Sequence, residues 1–382
     1  MANFDLSNLA LKAVCPNNEI LYDDKGLPSI MVKIPKMTYA ELGLGSSTDV
    51  FPAFIVNDAE VDAIWISKYQ NIVQNSRAYS LPARAPRTNI TLEAAIAACT
   101  AKGAGWHVMT ALEWGLLLRW CAQRGITPIG NNNYGKHGTE TVYTGIPATF
   151  EADGKTRHIA TGTGPLTYYH DLTPSGIADL CGNVWEWTGG IRTVYGELQI
   201  LANNNAADYT HLQTAASTEW KAIDAATGEL VTPDGSGTTE GTVKMDFINS
   251  KITYSTTITS SSDSSRSCNF SAITCDATIS DAAKNLLIAL GMMPGSDTAE
   301  FQYGQSCYFN NAQAERCFYR GGSYDGANSG FPSFSGVNAR SYSSPYRGYR
   351  SAFVDLPSAS LGSGSSAVAE RFFTRRKAGR DF

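Results

Sequence analysis

Residues able to bind metals or act as nucleophiles are few and scattered in this sequence. Its 382 residues include eight cysteines, and no two of them form a CxxC pair, so nothing indicates a zinc ribbon or a thioredoxin-type site. The five histidines have no HxxxH or similar spacing, which favours solvated or singly hydrogen-bonded side chains over metal ligands: they are His107, His137, His158, His170 and His211. The chemistry that the sequence does favour is recognition.

A tyrosine- and arginine-rich segment near the end of the chain carries that chemistry, RGGSYDGANSGFPSFSGVNARSYSSPYRGYRSAF at Arg320–Phe353. The 54 positions from 316 to 369 contain no Lys, Glu, Gln, Met or Trp, although these five types supply 50 of the 382 residues. A codon whose first two bases are free and whose third is a pyrimidine encodes none of the five. The residues that are present are those of antibody paratopes, in which tyrosine supplies contact area and Ser, Gly and Asn adapt their hydrogen bonds. The alternative is a coil packed within the fold, ending in a Ser/Gly linker.

Two helices precede this segment and would carry the framework. TLEAAIAACTAKG predicts a helix capped by Thr91 and ended by Gly103. TALEWGLLLRWCAQRG predicts a second, in which Thr110 and Glu113 form a capping box and Gly125 follows the end. Glu113 is therefore interpreted as a capping and packing residue rather than a general acid.

Strands and loops fill most of the remaining chain. Alternating apolar residues predict strands at Ile30–Ile34, Phe54–Val56 and Ala63–Ile66. Residues 126–175 have the composition of loops, and SDAAKNLLIAL predicts a short helix at Ser280–Leu290. We expect one domain over residues 1–356 with a long β-rich insertion at about 193–305, followed by a flexible Ser/Gly and then basic tail at 357–382.

Charge and hydropathy exclude several classes of protein. The formal net charge is −5, whereas a general nucleic-acid binder carries a basic face. We therefore expect no nucleic-acid binding. No signal peptide and no apolar run long enough for a transmembrane helix is evident, so we also expect no membrane insertion. Two cysteine pairs, Cys307 with Cys317 and Cys268 with Cys275, could be close enough for disulfides.

Three blocks of sequence resemble the formylglycine-generating-enzyme family. They are HVMTALEWGLLLRW, GIADLCGNVWEWTGG and the pair YRGGSYDG and RGYRSAF, and the likeness covers roughly residues 54–190 and 306–354. The resemblance implies an α+β fold of the C-type-lectin type, with two helices packed on irregular antiparallel sheets and much loop. The long insertion lies outside it.

The resemblance separates into an enzymatic and a binding branch. Oxidases of the family carry paired cysteines just after RGGS that bind copper, but here Tyr324 to Ser329 follow Ser323, and no cysteine comes after Cys317. The iron enzymes of the superfamily would need a histidine cluster. We therefore expect no enzymatic activity and no catalytic residue, with a formylglycine-generating-type or related metal-dependent enzyme as the alternative.

The binding branch comprises the variable proteins of diversity-generating retroelements, in which template adenines are copied with errors at AAC or AAT codons. This resemblance implies a hypervariable ligand-binding patch on a fixed scaffold, in which Gly321, Gly322, Gly348, Arg350 and Ala352 are structural. The predicted patch consists of Ser323, Tyr324, Asp325, Ala327, Asn328, Ser329, Phe331, Ser333, Phe334, Val337, Asn338, Arg340, Tyr342, Ser344, Tyr346, Arg347 and Tyr349.

In the enzymes of the formylglycine-generating-enzyme family, the turn that GNVWEW resembles binds calcium. By resemblance the ligands would be the side chains of Asp179 and Glu186 and the main-chain carbonyls of Gly182 and Val184, an all-oxygen set suited to Ca²⁺ or Mg²⁺. The alternative is a structural hydrogen-bond network, and no cofactor is required for binding.

The predicted function is non-enzymatic binding of a protein or glycan ligand, in a receptor or tropism role. We expect the chain on a phage tail or a bacterial cell surface, as a homo-oligomer or within a virion, where repeated copies would add avidity. A further alternative is a structural virion or surface protein whose insertion does the binding.

Overall fold

The computed structural model describes residues 5–296 and 300–356. Over these residues the α-helices are α1 Leu6–Val14, α2 Leu92–Thr100, α3 Ala111–Gln123 and α4 Asp281–Ala289. Three start where the sequence predicts, because Thr91, Thr110 and Ser280 each accept a main-chain N–H of the first turn. The capping box of Thr110 with Glu113 is also present. Helix α1 was not predicted.

The first half of the chain builds a five-stranded sheet together with one late strand. The strands in this half of the chain are β1 Asn18–Tyr22, β2 Pro28–Pro35, β3 Ile55–Val56, β4 Ala59–Glu60, β5 Ala63–Ser67, β6 Ile72–Gln74, β7 Arg77–Tyr79, β8 Trp106–Val108, β9 Pro147–Phe150 and β10 Thr156–Ile159. The second half supplies β11 Trp185–Val194, β12 Glu197–Ile200, β13 Lys221–Ile223, β14 Leu230–Val231, β15 Lys244–Ile248, β16 Lys251–Ser255, β17 Arg266–Asn269, β18 Thr274–Cys275, β19 Ser306–Phe309, β20 Arg316–Arg320, β21 Phe334–Asn338, β22 Arg347–Tyr349 and β23 Ser351–Val354.

Two sheets organise these strands. The first has the order β1-β2-β5-β23-β8, so the end of the chain closes a sheet begun near its start. The second has twelve strands along the path β17-β19-β21-β20-β11-β12-β15-β16-β18, with β13, β14 and β22 attached at its side. The remaining strands pair as hairpins, β3 with β4, β6 with β7 and β9 with β10. The described residues thus form a mixed α+β structure.

Helix α3 lies in the main core. Ten of its thirteen residues are buried, among them Trp114 and Leu116, which have no exposed surface. The same apolar cluster includes Ile64 of the first sheet and Tyr254 and Leu287 of the predicted insertion. The strands of that insertion also pair within the twelve-stranded sheet, so this part of the chain shares the framework's core. The predicted tail at 357–382 lies outside the described residues.

All eight cysteines lie in described residues, and all are free. Neither of the two cysteine pairs that the sequence left open forms a disulfide. Strand pairing gives the reason, because Cys317 lies opposite Asn338, whereas Cys307 lies opposite Cys268. The Cys275 thiol instead contacts Met293, with 3.7 Å between the two sulfurs.

Among the described residues, every helix is too short or too polar to cross a bilayer.

Candidate ligand-binding surface

Strand β11 joins the GNVWEW block to the predicted patch. It pairs with β20 on one side and in parallel with β22, with Trp185 opposite Arg347. The Trp185 N–H also donates to the Tyr346 carbonyl at 2.9 Å. Only glycine fits between these strands at Gly348, because a Cβ there would lie 2.7 Å from a methyl of Val184 and 2.8 Å from the Arg87 carbonyl.

Burial divides the seventeen predicted patch residues into three groups. The exposed side chains are Asp325, Ala327, Asn328 and Tyr342. The half-buried ones are Val337, Asn338, Tyr346 and Arg347. The buried ones are Ser323, Tyr324, Ser329, Phe331, Ser333, Phe334, Arg340, Ser344 and Tyr349.

The buried aromatic residues fix the segment to the core. Phe331 packs against Trp114, with ring centroids 5.9 Å apart, and its carbonyl accepts the indole N–H at 3.2 Å. Phe334 packs against Phe318 at 5.8 Å. Tyr349 has no exposed surface, its hydroxyl has no partner, and burial raises its pKa. These side chains hold the backbone and do not face solvent.

The side chains that do reach solvent gather around Arg347. We call the group formed by Tyr308, Val337, Asn338, Tyr342, Tyr346 and Arg347 the display surface; its members are half-buried or exposed. The Arg347 guanidinium carbon lies 4.0 Å from the ring centroid of buried Tyr319 and 5.5 Å from that of Tyr342. Arg347 Nη2 donates to the Tyr319 hydroxyl at 2.9 Å, and that hydroxyl donates to Asn338 Oδ1 at 2.6 Å.

A stack of two tyrosines borders the display surface. Tyr346 lies parallel to buried Tyr324, with centroids 5.3 Å apart and 14° between the rings. The Tyr324 hydroxyl donates to Glu151, and burial together with this bond raises the Tyr324 pKa. His158 meets the Tyr324 ring edge-on at 5.0 Å, and burial lowers its pKa to about 4, so this histidine is neutral near pH 7.

Two parts of the predicted patch lie outside the display surface. Arg340 is bound in a bidentate pair by Glu315, at 2.6 and 2.7 Å, and lines a separate apolar cavity of about 300 Å³ between α2 and residues 206–214. The exposed loop at 325–328 is held from the other side, where Asn132 Nδ2 donates to the Ala327 carbonyl at 3.3 Å.

Three contributors were not predicted for the patch. Tyr319 and Trp185 lie in the blocks that resemble the formylglycine-generating-enzyme family, and Tyr308 precedes the segment that lacks Lys, Glu, Gln, Met and Trp. They meet because β19, β20 and β11 belong to one sheet, with Trp185 lying 5.3 Å from Tyr319 and 6.4 Å from Tyr308 between centroids. The only available signal was the alternation of aromatic residues in these strands, which does not say which strands are neighbours.

The predicted calcium ligands form a buried polar centre beneath this surface. Both oxygens of Glu186 accept from Arg350, from Nε and Nη2, each at 2.9 Å. Gln70 Nε2 donates to the carbonyls of Asp179 and Gly182 and to Glu186 Oε1, at 3.0, 3.3 and 3.0 Å. Thus an amide and a guanidinium already bind two of the four predicted ligands, the Gly182 carbonyl and the Glu186 side chain.

Asp179 is the exception within this polar centre. Its Oδ2 accepts from the Gly162 N–H at 2.7 Å, whereas its buried Oδ1 has no partner. Burial raises the Asp179 pKa to about 6. As arranged, the donor set does not fit a cation, because Gln70 and Arg350 supply the hydrogen-bond donors that a metal would replace. No group of three or more His, Cys, Asp or Glu side chains suited to a metal occurs within residues 5–296 and 300–356. Calcium or magnesium binding stays a prediction.

Glu113 occupies a buried network at the start of α3. It accepts from the Thr110 N–H at 2.9 Å and from Asn204 Nδ2 at 3.0 Å, and its Oε1 lies 2.7 Å from His107 Nε2. The predicted capping and packing role agrees with these contacts.

Comparison with known proteins gives weak structural neighbours, among them two solved structures. No known protein family matches the sequence, and no curated protein does. The structure of PvdO from Pseudomonas aeruginosa aligns over 88% of this chain and 97% of its own, with 12% identity and a TM-score of 0.36. A Major Tropism Determinant P3c variant aligns over 88% of this chain and 71% of its own, with 11% identity and a TM-score of 0.27. No residue role is transferred from either.

Proposed function

We propose that this chain is a non-enzymatic ligand-binding protein of the receptor or tropism type, which displays a retroelement-diversified patch on a C-type-lectin-type scaffold. The main support for the proposal is that the segment without Lys, Glu, Gln, Met and Trp contains two kinds of side chain, buried ones and ones that reach solvent. Phe331, Phe334 and Tyr349 anchor it in the core, while Tyr342, Tyr346 and Arg347 reach solvent. A fixed backbone bearing changeable side chains is what a diversified binding surface requires.

The composition of the display surface supports binding rather than catalysis. Tyrosine buries a large area with few rotatable bonds, and Arg and Tyr are enriched among the residues that dominate binding energies. Arg347 and Tyr342 lie together with Asn338, all within the segment that lacks Lys, Glu, Gln, Met and Trp.

The state of the thiols also supports a non-enzymatic role. Burial raises the pKa of Cys181 and Cys317 to about 12 and that of Cys275 to about 11, and it raises the pKa of the partly buried Cys268. A thiol with a raised pKa is a poor nucleophile and metal ligand near pH 7. Formylglycine-generating-type chemistry needs a reactive thiol, so we keep it as the disfavoured alternative.

The test compares two matched triple variants. Tyr342→Ala, Tyr346→Ala and Arg347→Ala together remove the display surface. Tyr22→Ala, Tyr195→Ala and Arg84→Ala remove two exposed tyrosines and an exposed arginine elsewhere. Fluorescently labelled chains are applied to a panel of bacterial strains and counted by flow cytometry, and their melting temperatures are measured.

We expect the display variant to lose binding while it keeps its melting temperature, and the control variant to keep both. Collapse of the display variant's fold, or equal binding by the two variants, would overturn the proposal. The retroelement part has its own test in the flanking DNA. A reverse-transcriptase gene beside a near-copy of the last coding stretch, differing mainly at adenines, is expected, and its absence removes that part.

We place the chain on a phage tail or a bacterial cell surface, where several copies would bind together. Single contacts of the display surface are then strengthened by avidity.

A further inference from the structure

Arg347 differs from most of the buried and half-buried arginines in its partners. Six of them donate to a carboxylate within the chain: Arg77, Arg119, Arg157, Arg192, Arg340 and Arg350. Arg266, Arg316 and Arg320 also have no carboxylate, but in each of them two guanidinium nitrogens donate to main-chain carbonyls or to Asn or Ser oxygens. Among the described residues Arg347 pairs with no carboxylate, and its buried Nε has no partner at all.

Neutral rings surround this charge without neutralising it. The guanidinium carbon lies 4.0, 5.5 and 6.0 Å from the ring centroids of Tyr319, Tyr342 and Trp185. Cation–π contacts of this kind hold the group in place. The rings also exclude water from one side, and a charge-assisted hydrogen bond is stronger where water is excluded.

The neighbouring acids are already engaged. Glu151 binds Arg157 at 2.7 Å and accepts from the Tyr324 hydroxyl. Glu315 is shared by Arg192 and Arg340. Arg347 is therefore a local positive charge in a chain whose formal net charge is −5.

We infer that Arg347 is the anchor for a carboxylate of the ligand, an Asp or Glu side chain of a protein partner; this rests on the proposed function and specifies its ligand. Nη2 already donates to the Tyr319 hydroxyl and contacts Asn338 Oδ1, whereas Nη1 has no partner among the described residues and remains for a charge-assisted hydrogen bond to the carboxylate. Tyr342, with 39% of its surface exposed, borders the approach.

The acceptors around Arg347 favour a protein over a glycan. Sugar hydroxyls need acceptors as well as donors, but Asn338 Oδ1 already accepts from the Tyr319 hydroxyl at 2.6 Å and contacts Arg347 Nη2 at 3.4 Å. The Tyr319 oxygen in turn accepts from Arg347. The groups next to the guanidinium thus leave donors and ring faces free, which match an acidic side chain and the chain beside it.

Nuclear magnetic resonance of the whole chain, labelled with ¹⁵N in its arginine Nε atoms, tests the assignment. The probes are N-acetyl-L-glutamate α-amide, its neutral match N-acetyl-L-glutamine amide, and N-acetylneuraminic acid. The Arg347 signal is identified by its loss in Arg347→Lys. We expect the glutamate probe to shift this signal saturably and the glutamine probe to leave it unmoved.

The assignment is overturned if the glutamate probe causes no shift, or if glutamine shifts the signal equally. A larger, saturable shift with N-acetylneuraminic acid overturns the choice of protein over glycan. On any strain that binds the native chain, Arg347→Gln should weaken binding about 10-fold or more, and the control Arg84→Gln should not. If the triple display variant loses binding and Arg347→Gln does not, the proposed function stands and this inference fails.

Discussion

Two arginines of the same short stretch, Arg347 and Arg350, have opposite surroundings. Arg350 has no exposed surface, and its guanidinium donates hydrogen bonds to both Glu186 oxygens and to the Ser67 and Ala178 carbonyls. Arg347 is half-buried among aromatic rings and has donors left over. The difference shows that residue type alone does not distinguish a framework arginine from one that reaches solvent; burial and the set of hydrogen-bond partners distinguish these two.

The largest expected effect is a loss of stability on substitution of Arg350, the framework arginine of this pair. Arg350→Met removes the partner of a buried carboxylate and leaves two main-chain carbonyls without donors, so we expect a loss of about 3–5 kcal/mol in the free energy of unfolding. Chemical denaturation measures it, with Arg347→Met as the matched control, whose loss should stay below about 1 kcal/mol. Equal losses for the two variants would remove the distinction.

The polar centre around Arg350 has a second weak point in Asp179, whose Oδ1 is buried without a partner. Its pKa is about 6 in the folded chain, above the ordinary value of 3.8. Between these values the folded state holds the proton more tightly than the unfolded state, so stability falls as the pH rises from about 4 to 6 and stays lower above that range.

Asp179→Asn removes this loss and keeps an acceptor for the Gly162 N–H. We expect the variant to gain roughly 1–3 kcal/mol over the native chain at pH 8 and to match it near pH 3.5, as measured by denaturation at several pH values. The same series with CaCl₂ tests the predicted cation site. Stabilisation of the native chain by calcium, lost in Asp179→Asn, would show that a cation displaces the Gln70 contacts.

Local signals in the sequence were enough to predict some of the framework elements, but not α1 or the β9–β10 hairpin. Thr110 and Glu113 form a capping box within the first turn of one helix, and β2 and β5 follow from alternating apolar residues. The buried polar centre around Glu186 and Arg350 could not be predicted, because Gln70 reaches it from a loop more than a hundred residues before Gly182 in the chain.

The sequence could not show how burial divides the predicted patch. Phe334 and Tyr342 have similar neighbours in sequence, yet one is buried and the other exposed. The difference arises when β22 pairs in parallel with β11, and β21 pairs with β20 and β19. Such pairings join distant parts of the chain, and the local alternation of residues does not predict which strands pair.

A smaller effect tests the boundary between anchor and display at Tyr349. Its hydroxyl is buried without a partner, so Tyr349→Phe should raise the free energy of unfolding by up to about 1 kcal/mol and leave binding unchanged. Tyr342→Phe is the control, with no change in stability expected, because Tyr342 is exposed. Loss of binding in Tyr349→Phe would return Tyr349 to the ligand-contacting residues.

The smallest effect on stability is expected at Tyr342, where a change should be felt by the ligand alone. Tyr342→Ser removes only an exposed ring and a distant cation–π contact, so the free energy of unfolding should change by less than about 0.5 kcal/mol. Tyr342→Asp should be equally mild for folding, but it places a carboxylate beside the unpaired Arg347, 5.5 Å from the ring it replaces. An internal carboxylate competes with one from a ligand, so binding should fall further for Asp than for Ser in the flow-cytometry assay. Equal binding by the two variants would mean that Arg347 does not select an acidic group, and that the rings, rather than the charge, carry the contact.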